Sequence, residues 1–580
     1  MNRIANSPLK IVPFFLLVVL LTNCRVADDG TGTNTDSENA GLLVPEGFEV
    51  TIVADSIGKA RHLVVNDNGD IYVKMKSSDD QKGALALRDT TGDGVMDVVK
   101  RFGNRDGNFA ETEMTIHDGY LYYTSSLRVY RQKLIPGQLL PDAEVDTILI
   151  DDHEHGDHEH NTKPLAFDGK GHMYVPFGAP NNACQEPKRT PGIPGLDPCP
   201  ILENHGGIWR FEDDKKNQKQ GDGERFATGV RSIVAMSWNP ADDHLYLVMH
   251  GRDDLHRLFP NEFSPWENAV LPSEEFMRVT EGSDFGWPYC YYDHIQQKKV
   301  LAPEYGGDGE TVGRCREYDD PILGFPGHFA PNDLLFYQGD QFPEHYRNGA
   351  FIAWHGSTIR SPYPQAGYFI AFVPFENGKI SGEWEVFANG FAETDPIINT
   401  SDAEHRPSGL AVGPDGSLYI TEDRNGRIWK VSFTGDKAAF GEEQLARMRE
   451  EKQTASNIRR PDPEEDNLQK GEIAGGEQIY RTYCASCHQR DGQGTDRFPP
   501  LAGTDWVTGD KNRLVGVILN GLEGSIEVKG QQYNNVMPQH SFLSDEEVAE
   551  VLTYIRQNFD NDASAVTPEE VNDIRQRMQN

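Results

Sequence analysis

Basic residues are scarce in this chain. Its 580 residues carry 55 Lys and Arg against 91 Asp and Glu, a formal net charge of -36 at pH 7. That deficit excludes DNA, RNA and anionic lipid as partners held by charge, because each would be repelled. No GxGxxG stretch opens a βαβ unit, so nothing points to a nicotinamide or flavin domain. Cysteine is sparse as well, with 7 in the chain. The apolar run at residues 11–21 (IVPFFLLVVLL) falls short of the roughly 20 residues that a membrane-spanning helix needs. The length, in turn, exceeds what one core organises, so two or more domains are expected.

Arg3 and Lys10 precede the apolar run, which ends at Leu21, Thr22, Asn23 and Cys24. Charge, a short apolar stretch and this ending read as an export signal over residues 1–24. Leu-x-x-Cys resembles a bacterial lipoprotein box, in which Cys24 is lipidated and becomes the first mature residue. Asn23 is bulkier than the Gly or Ala usual there, and ordinary secretion is the alternative. The expected location is periplasmic or outer-surface, with the membrane reached by the lipid alone. Residues 25–41 are polar and read as a flexible tether. Cys484 and Cys487 belong to a motif taken up below. Cys184, Cys199, Cys290 and Cys315 in an exported chain imply two disulfides. Of the three pairings available to four cysteines, Cys184 with Cys199 and Cys290 with Cys315 closes the shortest loops.

A turn containing Gly or Asp, followed by an apolar, an aromatic and another apolar residue, recurs along the first 430 or so positions. It stands at residues 68–73 (NGDIYV), 118–123 (DGYLYY), 170–175 (KGHMYV), 242–247 (DDHLYL), 332–337 (NDLLFY) and 415–420 (DGSLYI). Each reads as a tight turn leading into a strand of period 2, the signal of a β-hairpin. Such repetition predicts an all-β six-bladed propeller over residues 42–433 with variable loops on one face. An irregular β-sandwich with coincidental hairpins is the alternative. The turn at residues 89–97 (DTTGDGVMD) gathers Asp89, Asp93 and Asp97 but lacks the Glu that closes an EF-hand. It reads as structural calcium or as a solvated hairpin. Residues 434–470 are charged and helix-prone until Pro461 and Pro463 break them, which suggests a connector.

The motif at residues 483–488 (YCASCH) carries the most specific chemistry. Cys484 and Cys487 can add to the two vinyl groups of one haem, and the adjacent His488 is then placed as an axial iron ligand. A CxxC alone is also a redox disulfide or half a zinc site, but no second CxxC is present and the export signal favours covalent haem c. Met537 is the Met between this motif and the last capped helix, and it is the expected sixth ligand; His540 is its rival. Ser544 and Glu547 form a capping box ahead of Val548, Val551, Leu552 and Ile555 on one face. Residues 471–560 therefore resemble a small all-α cytochrome c domain, with 561–580 left as a tail. Haem so ligated moves electrons singly, so oxidation of an organic substrate falls to the propeller.

Four stretches in order carry a further resemblance: residues 229–255 (GVRSIVAMSWNPADDHLYLVMHGRDDL), 282–290 (GSDFGWPYC), 336–360 (FYQGDQFPEHYRNGAFIAWHGSTIR) and 405–423 (HRPSGLAVGPDGSLYITED). They resemble the soluble quinoprotein glucose and sorbosone dehydrogenase family, six-bladed propellers that bind pyrroloquinoline quinone. That cofactor has three carboxylates, which suit guanidinium groups. The resemblance implies that Arg61, Arg231, His328, Arg360 and Arg406 bind it, and that Arg231 stabilises charge developing on it. For any one Arg the alternative is an interblade ion pair, and Ser232 stands where the family has Asn. The resemblance also implies calcium on the main-chain oxygens of Gly251 and Arg252. Aligned on the turn at 170–175, the segment 160–175 puts the family's catalytic base on His160. His153, His155 and His158 then remain as solvated side chains or as ligands of an adventitious metal.

The implied function is a quinohaemoprotein that oxidises an aldose or related hydroxylated molecule by hydride transfer, with electrons passing through the haem to an external cytochrome or respiratory acceptor. The alternatives are a quinone-free propeller acting as a binding module beside an electron-transfer cytochrome, and a metal-dependent hydrolase or lyase on the same propeller.

Overall fold

The structure is a computed structural model that describes residues 38–76, 83–103, 113–153, 158–463, 475–495, 498–522, 524–534, 536–541 and 543–579. The export signal, Cys24, most of the tether and His155 lie outside the described residues. From Phe48 to Phe433 the chain forms six successive antiparallel blades. The first blade runs Ala60–Val65, Ile71–Met75, Ala84–Arg88 and Val98–Phe102. First strands of neighbouring blades lie side by side, as Ile233–Asn239 does with Pro331–Phe336 and Ala60–Val65 does with Pro407–Val412. The ring closes through the N-terminus. Phe48–Ala54 is the fourth strand of the last blade, with Phe48 opposite Phe433 and Thr51 opposite Lys430.

Strands held between neighbouring blades are apolar on both faces, and Ala350–Trp354 and Phe369–Val373 are buried throughout. Aromatic rings fill the seam where the ring closes: Phe48 meets Phe342, Tyr346 and Phe387 edge-on at 4.9, 5.5 and 5.1 Å. Five of the six hairpin motifs stand at the turn between the first and second strands of a blade. The sixth does not: residues 332–337 fall in the first strand of the fifth blade, Pro331–Phe336. The hairpin of that blade turns instead through residues 337–349, which include the short helix Glu344–Tyr346, so the tight-turn signature is missing there. Disulfides join Cys184 to Cys199 and Cys290 to Cys315, with Cα–Cα separations of 6.2 and 5.8 Å.

The connector is anchored rather than free. Its helix Glu442–Thr454 packs on the outer strand Glu385–Ala388, and Met448 and Ile458 enter the core of the fifth blade. Trp266 Nε1 donates to Pro461 O at 2.9 Å and Tyr363 Oη to Pro463 O at 3.2 Å. Beyond it, helices Lys511–Asn520 and Asp545–Gln557 enclose an apolar core with Tyr480 and Cys484. The expected capping box is present: Ser544 accepts from Glu547 N, and the Glu547 carboxylate from Ser544 N. The small hairpin Ile526–Val528 and Gln531–Tyr533 adds β structure to this otherwise helical domain. The C-terminal residues extend the domain too. Pro568–Gln579 is a helix whose Val571 and Ile574 join the same core, with Glu570 paired to Lys511 and Arg575 to Asp545.

Candidate active site and haem crevice

His160 lies just ahead of the first strand of the third blade, Ala166–Phe167. Its Nδ1 meets Ala179 O at 2.7 Å. That contact puts the proton on Nδ1 and leaves Nε2 basic. Ala179 N in turn donates to Arg231 O at 2.8 Å, so one residue ties the imidazole to Arg231. Burial, followed by the neighbouring Arg231 charge, holds the His160 pKa well below the ordinary imidazole value. Arg231 is itself buried, donating to Gly251 O at 2.7 Å and to Asp253 Oδ2 at 2.8 Å. Asp253 also accepts from Arg189, which reaches Asp254 and Glu159 as well. Glu159 is the neighbour of His160, so Arg189 braces both sides of the pair.

Three cations and a histidine gather at the other wall. Asp423 Oδ2 accepts from Arg61 at 2.6 Å and from Lys76 at 2.8 Å, and its Oδ1 meets His355 Nε2 at 2.9 Å. Arg406 Nη2 donates to His355 Nδ1 at 2.9 Å and to Gly356 O at 2.6 Å. This fixes His355 as the neutral tautomer that donates to Asp423. Burial pulls Arg61 and Lys76 below their ordinary values and outweighs the pull of Asp423. His250 feels both Arg231 and Arg61 and therefore links the two walls electrostatically.

The structure thus groups His160 with Arg231 and, through Asp423 and His355, Arg61 with Arg406, and both groups act on His250. His328 is spent on backbone, its Nε2 meeting Asn268 O and Leu271 O at 2.8 and 3.2 Å. Arg360 is fully buried and directs Nη2 to the connector carbonyl of Arg459 at 3.4 Å, away from the Asp423 group. Calcium at Gly251 meets a conflict: the carbonyl expected to bind it already accepts from the Arg231 guanidinium, and a dication there would face that charge. The residues in this arrangement do not form a calcium cage. Asp89, at the other calcium-like stretch, directs its carboxylate to the amides of Thr91, Gly92 and Gly94.

His158 is packed rather than solvated, and His153 is half-buried. His158 is buried with Nε2 at 3.0 Å from Gly178 O, and its ring lies 5.1 Å from that of His205. His153 meets Asp151 Oδ1 at 2.9 Å and leans on Phe177 and His205. Sequence reasoning missed Lys76, His355, Asp423 and Arg189. Asp423 ends a quoted motif, but its partners lie 362, 347 and 68 positions away.

In the helical domain, two adjoining cavities of about 60 and 70 Å³ share Cys484, His488, Pro499, Leu522, Ile526 and Met537 as lining. His488 Nδ1 donates to Pro499 O at 2.8 Å, which leaves Nε2 for iron. Met537 borders both cavities. His540 borders one of them and also lines a separate cavity beside Arg257 of the propeller; burial, aided by that charge, lowers its pKa to about 4. Met537 is thereby the better placed sixth ligand. Met537→Ala should abolish the thioether-to-iron spectral signature and lower the haem potential, whereas His540→Ala should preserve both. Redox titration of the two variants decides between them.

The cavity at His540, about 280 Å³, lies between the two domains, with Arg189, Asp254 and Ile359 on one side and Tyr483 and Cys487 on the other. Arg490 pairs with Asp402 across this junction at 2.9 Å, and Asn399 Nδ2 contacts Arg481 O at 3.5 Å. Cys487, which would attach the haem, therefore stands opposite the Arg189 and Asp254 pair.

Comparison with known proteins identifies the family of each domain. The cytochrome c family matches residues 473–559. Cytochrome c-552 of Thermus thermophilus is 48% identical over 87 residues, 14% of this chain and 66% of that protein. The iodide structure of the Trichoderma reesei carbohydrate-active enzyme of family AA12 superposes with a TM-score of 0.55 at 18% identity, covering 70% of this chain and 100% of that one. The holo form of the pyranose dehydrogenase PQQ domain from Coprinopsis cinerea gives 0.54 at 16% identity, covering 67% and 97%. These likenesses establish the six-bladed fold. The TrAA12-like family matches residues 42–434, and the chain belongs to that family, carrying a cytochrome c domain behind it.

Proposed function

We propose that this protein is a quinohaemoprotein dehydrogenase that oxidises an aldose or related hydroxylated small molecule and delivers the electrons through haem c to an external acceptor. The observation that carries the reading is the excess of positive charge around the buried Asp423. Arg61 and Lys76 share its carboxylate, and Arg406 adds a third positive charge through the neutral His355; Arg61 is buried, whereas Lys76 and Arg406 are half-buried. Arg61 Nε and Arg231 Nε are also buried without a hydrogen-bond partner. A buried cation such as Arg61 is costly unless an anion compensates it, and a tricarboxylate would meet the excess charge of the group. Pyrroloquinoline quinone therefore fits these residues, with Arg61, Lys76 and Arg406 holding carboxylates and Arg231 on the opposite wall.

When bound, that cofactor supplies a two-electron acceptor for hydride. The chain's own residues do the rest. His160, neutral and held by Ala179 O, accepts the substrate's hydroxyl proton at Nε2. Asp253 fixes the Arg231 guanidinium in place, and Arg189 fixes Asp253. Cys487, which would hold the haem that relays single electrons, lines a cavity with the propeller residues Arg189 and Asp254.

Reconstitution of the purified protein with pyrroloquinoline quinone, followed by addition of aldoses, sorbosone and simple alcohols, should reduce the haem's visible bands. If the folded protein takes up no quinone, the propeller is a binding module instead. If it takes up quinone but no substrate in the panel reduces the haem, the dehydrogenase reading fails for those substrates. The pH dependence follows from His160. Its lowered pKa keeps the base unprotonated to more acidic pH than a free imidazole, so the acid limb of kcat/KM should lie well below about 6.5. An acid limb at or above that value, absent from a His160 variant, contradicts the environment described.

A further inference from the structure

The cavity of about 280 Å³ between the domains is walled by both of them. Arg189, Asp254 and Ile359 supply the propeller side; Tyr483, Cys487 and His540 supply the cytochrome side. The propeller wall is linked to the reaction site by hydrogen bonds. Arg189 bonds Asp253, the partner of Arg231, and Glu159, the neighbour of His160. The volume lies at the small end of the roughly 300–1,000 Å³ typical of ligand pockets. Its lining sets guanidinium, carboxylate and imidazole groups among apolar surface from Ile359, Tyr483 and three prolines, a mixture that suits the polar edge and apolar face of a sugar ring. The cytochrome is seated over this space by the Arg490 to Asp402 pair and by the anchored connector.

We infer that the cytochrome domain forms the roof of the substrate chamber and acts as a size filter, admitting a single sugar ring or a comparably small polyol and rejecting longer saccharides. This rests on the dehydrogenase reading above. An open propeller face would take the end of a chain of any length, with the remainder in solvent. A space walled by both domains resists this, because further rings must pass the cytochrome residues Tyr483 and His540. The filter is thus a repulsive element supplied by the electron-transfer domain.

The test uses the full chain loaded with quinone and haem, with a monosaccharide and its di- and trisaccharide as substrates. Turnover is read both by haem reduction and by a soluble dye that accepts electrons from the quinone directly. In the native protein kcat/KM should fall at least about tenfold from one ring to three, the scale on which a pocket wall discriminates. Arg490→Glu reverses a charge that faces Asp402. It should raise trisaccharide turnover with the dye by about two- to fivefold, the effect of losing one exposed pair, and slow haem reduction. In the same variant, amide hydrogen exchange over residues 357–362 should rise; this readout needs no turnover. Ile359→Trp, which narrows the chamber, should penalise the disaccharide more than the monosaccharide. Equal kcat/KM along the series with the monosaccharide turning over normally, or unchanged exchange in Arg490→Glu, overturns the filter and leaves the dehydrogenase reading standing. Loss of monosaccharide turnover in the native protein overturns both.

Discussion

His160→Ala should lower kcat by about 10²–10⁴-fold, the usual contribution of a positioned general base, while the protein still takes up pyrroloquinoline quinone. The two effects separate because they sit on different walls. His160 is fixed through Ala179, and its basic nitrogen is the one that backbone does not use. The carboxylate-holding cations Arg61, Lys76 and Arg406 belong to the Asp423 group, and none of them bonds His160. Single-turnover kinetics with a dye acceptor, alongside quinone binding by calorimetry, measure the two quantities independently. Unchanged kcat removes His160 from the role of base. Loss of quinone uptake together with kcat would show that the imidazole serves binding instead.

Asp423→Ala should destabilise the propeller by about 3–5 kcal/mol, the range for removing one partner from a buried ionic group. Asp423 is nearly inaccessible and compensates Arg61, Lys76 and, through His355, the approach of Arg406. These neighbours hold its carboxyl well below the ordinary range although burial opposes them. Without it the buried Arg61 and the half-buried Lys76 lose the carboxylate they share, with the Arg406 charge close by. Against a typical stability of about 5–15 kcal/mol this is a large fraction. Added quinone should restore part of the loss, because a tricarboxylate bound to the folded state stabilises it by mass action. Thermal unfolding with and without quinone checks both halves. Loss of less than about 1 kcal/mol would mean that the cations are compensated elsewhere, and absence of rescue would remove the tricarboxylate from this site.

The parts legible in the sequence were those written locally. The haem motif is six consecutive residues, and a tight turn followed by a strand announces itself within six more. The fifth blade escaped because residues 337–349 replace the tight turn with a long loop, and the pattern was met one strand early, at Pro331–Phe336. The Asp423 group was illegible for a different reason. Lys76 follows an ordinary strand and becomes a site residue only when ring closure sets the first blade beside the last. The histidine run misled by composition. Alternating His with carboxylates reads as surface, yet His158 is buried by Gly178 and His205. Arg360 matched a motif position, but the connector carbonyl of Arg459, a hundred residues on, claims its donor.

Strand Phe48–Ala54 has a mechanical consequence. It joins the two ends of the ring by a row of hydrogen bonds to Ile428–Phe433, so the propeller cannot be completed until the sixth blade has been synthesised. The residues ahead of Phe48 also touch the connector: Glu46 N donates to Gln444 O, and Leu43 pairs with Asn389, whose side chain reaches Glu451. Tension on the N-terminal segment is therefore loaded first onto the seam of the ring and onto the helix that carries the cytochrome. Were the chain tethered there, a pull would reach the latch of the toroid before it reached either redox centre.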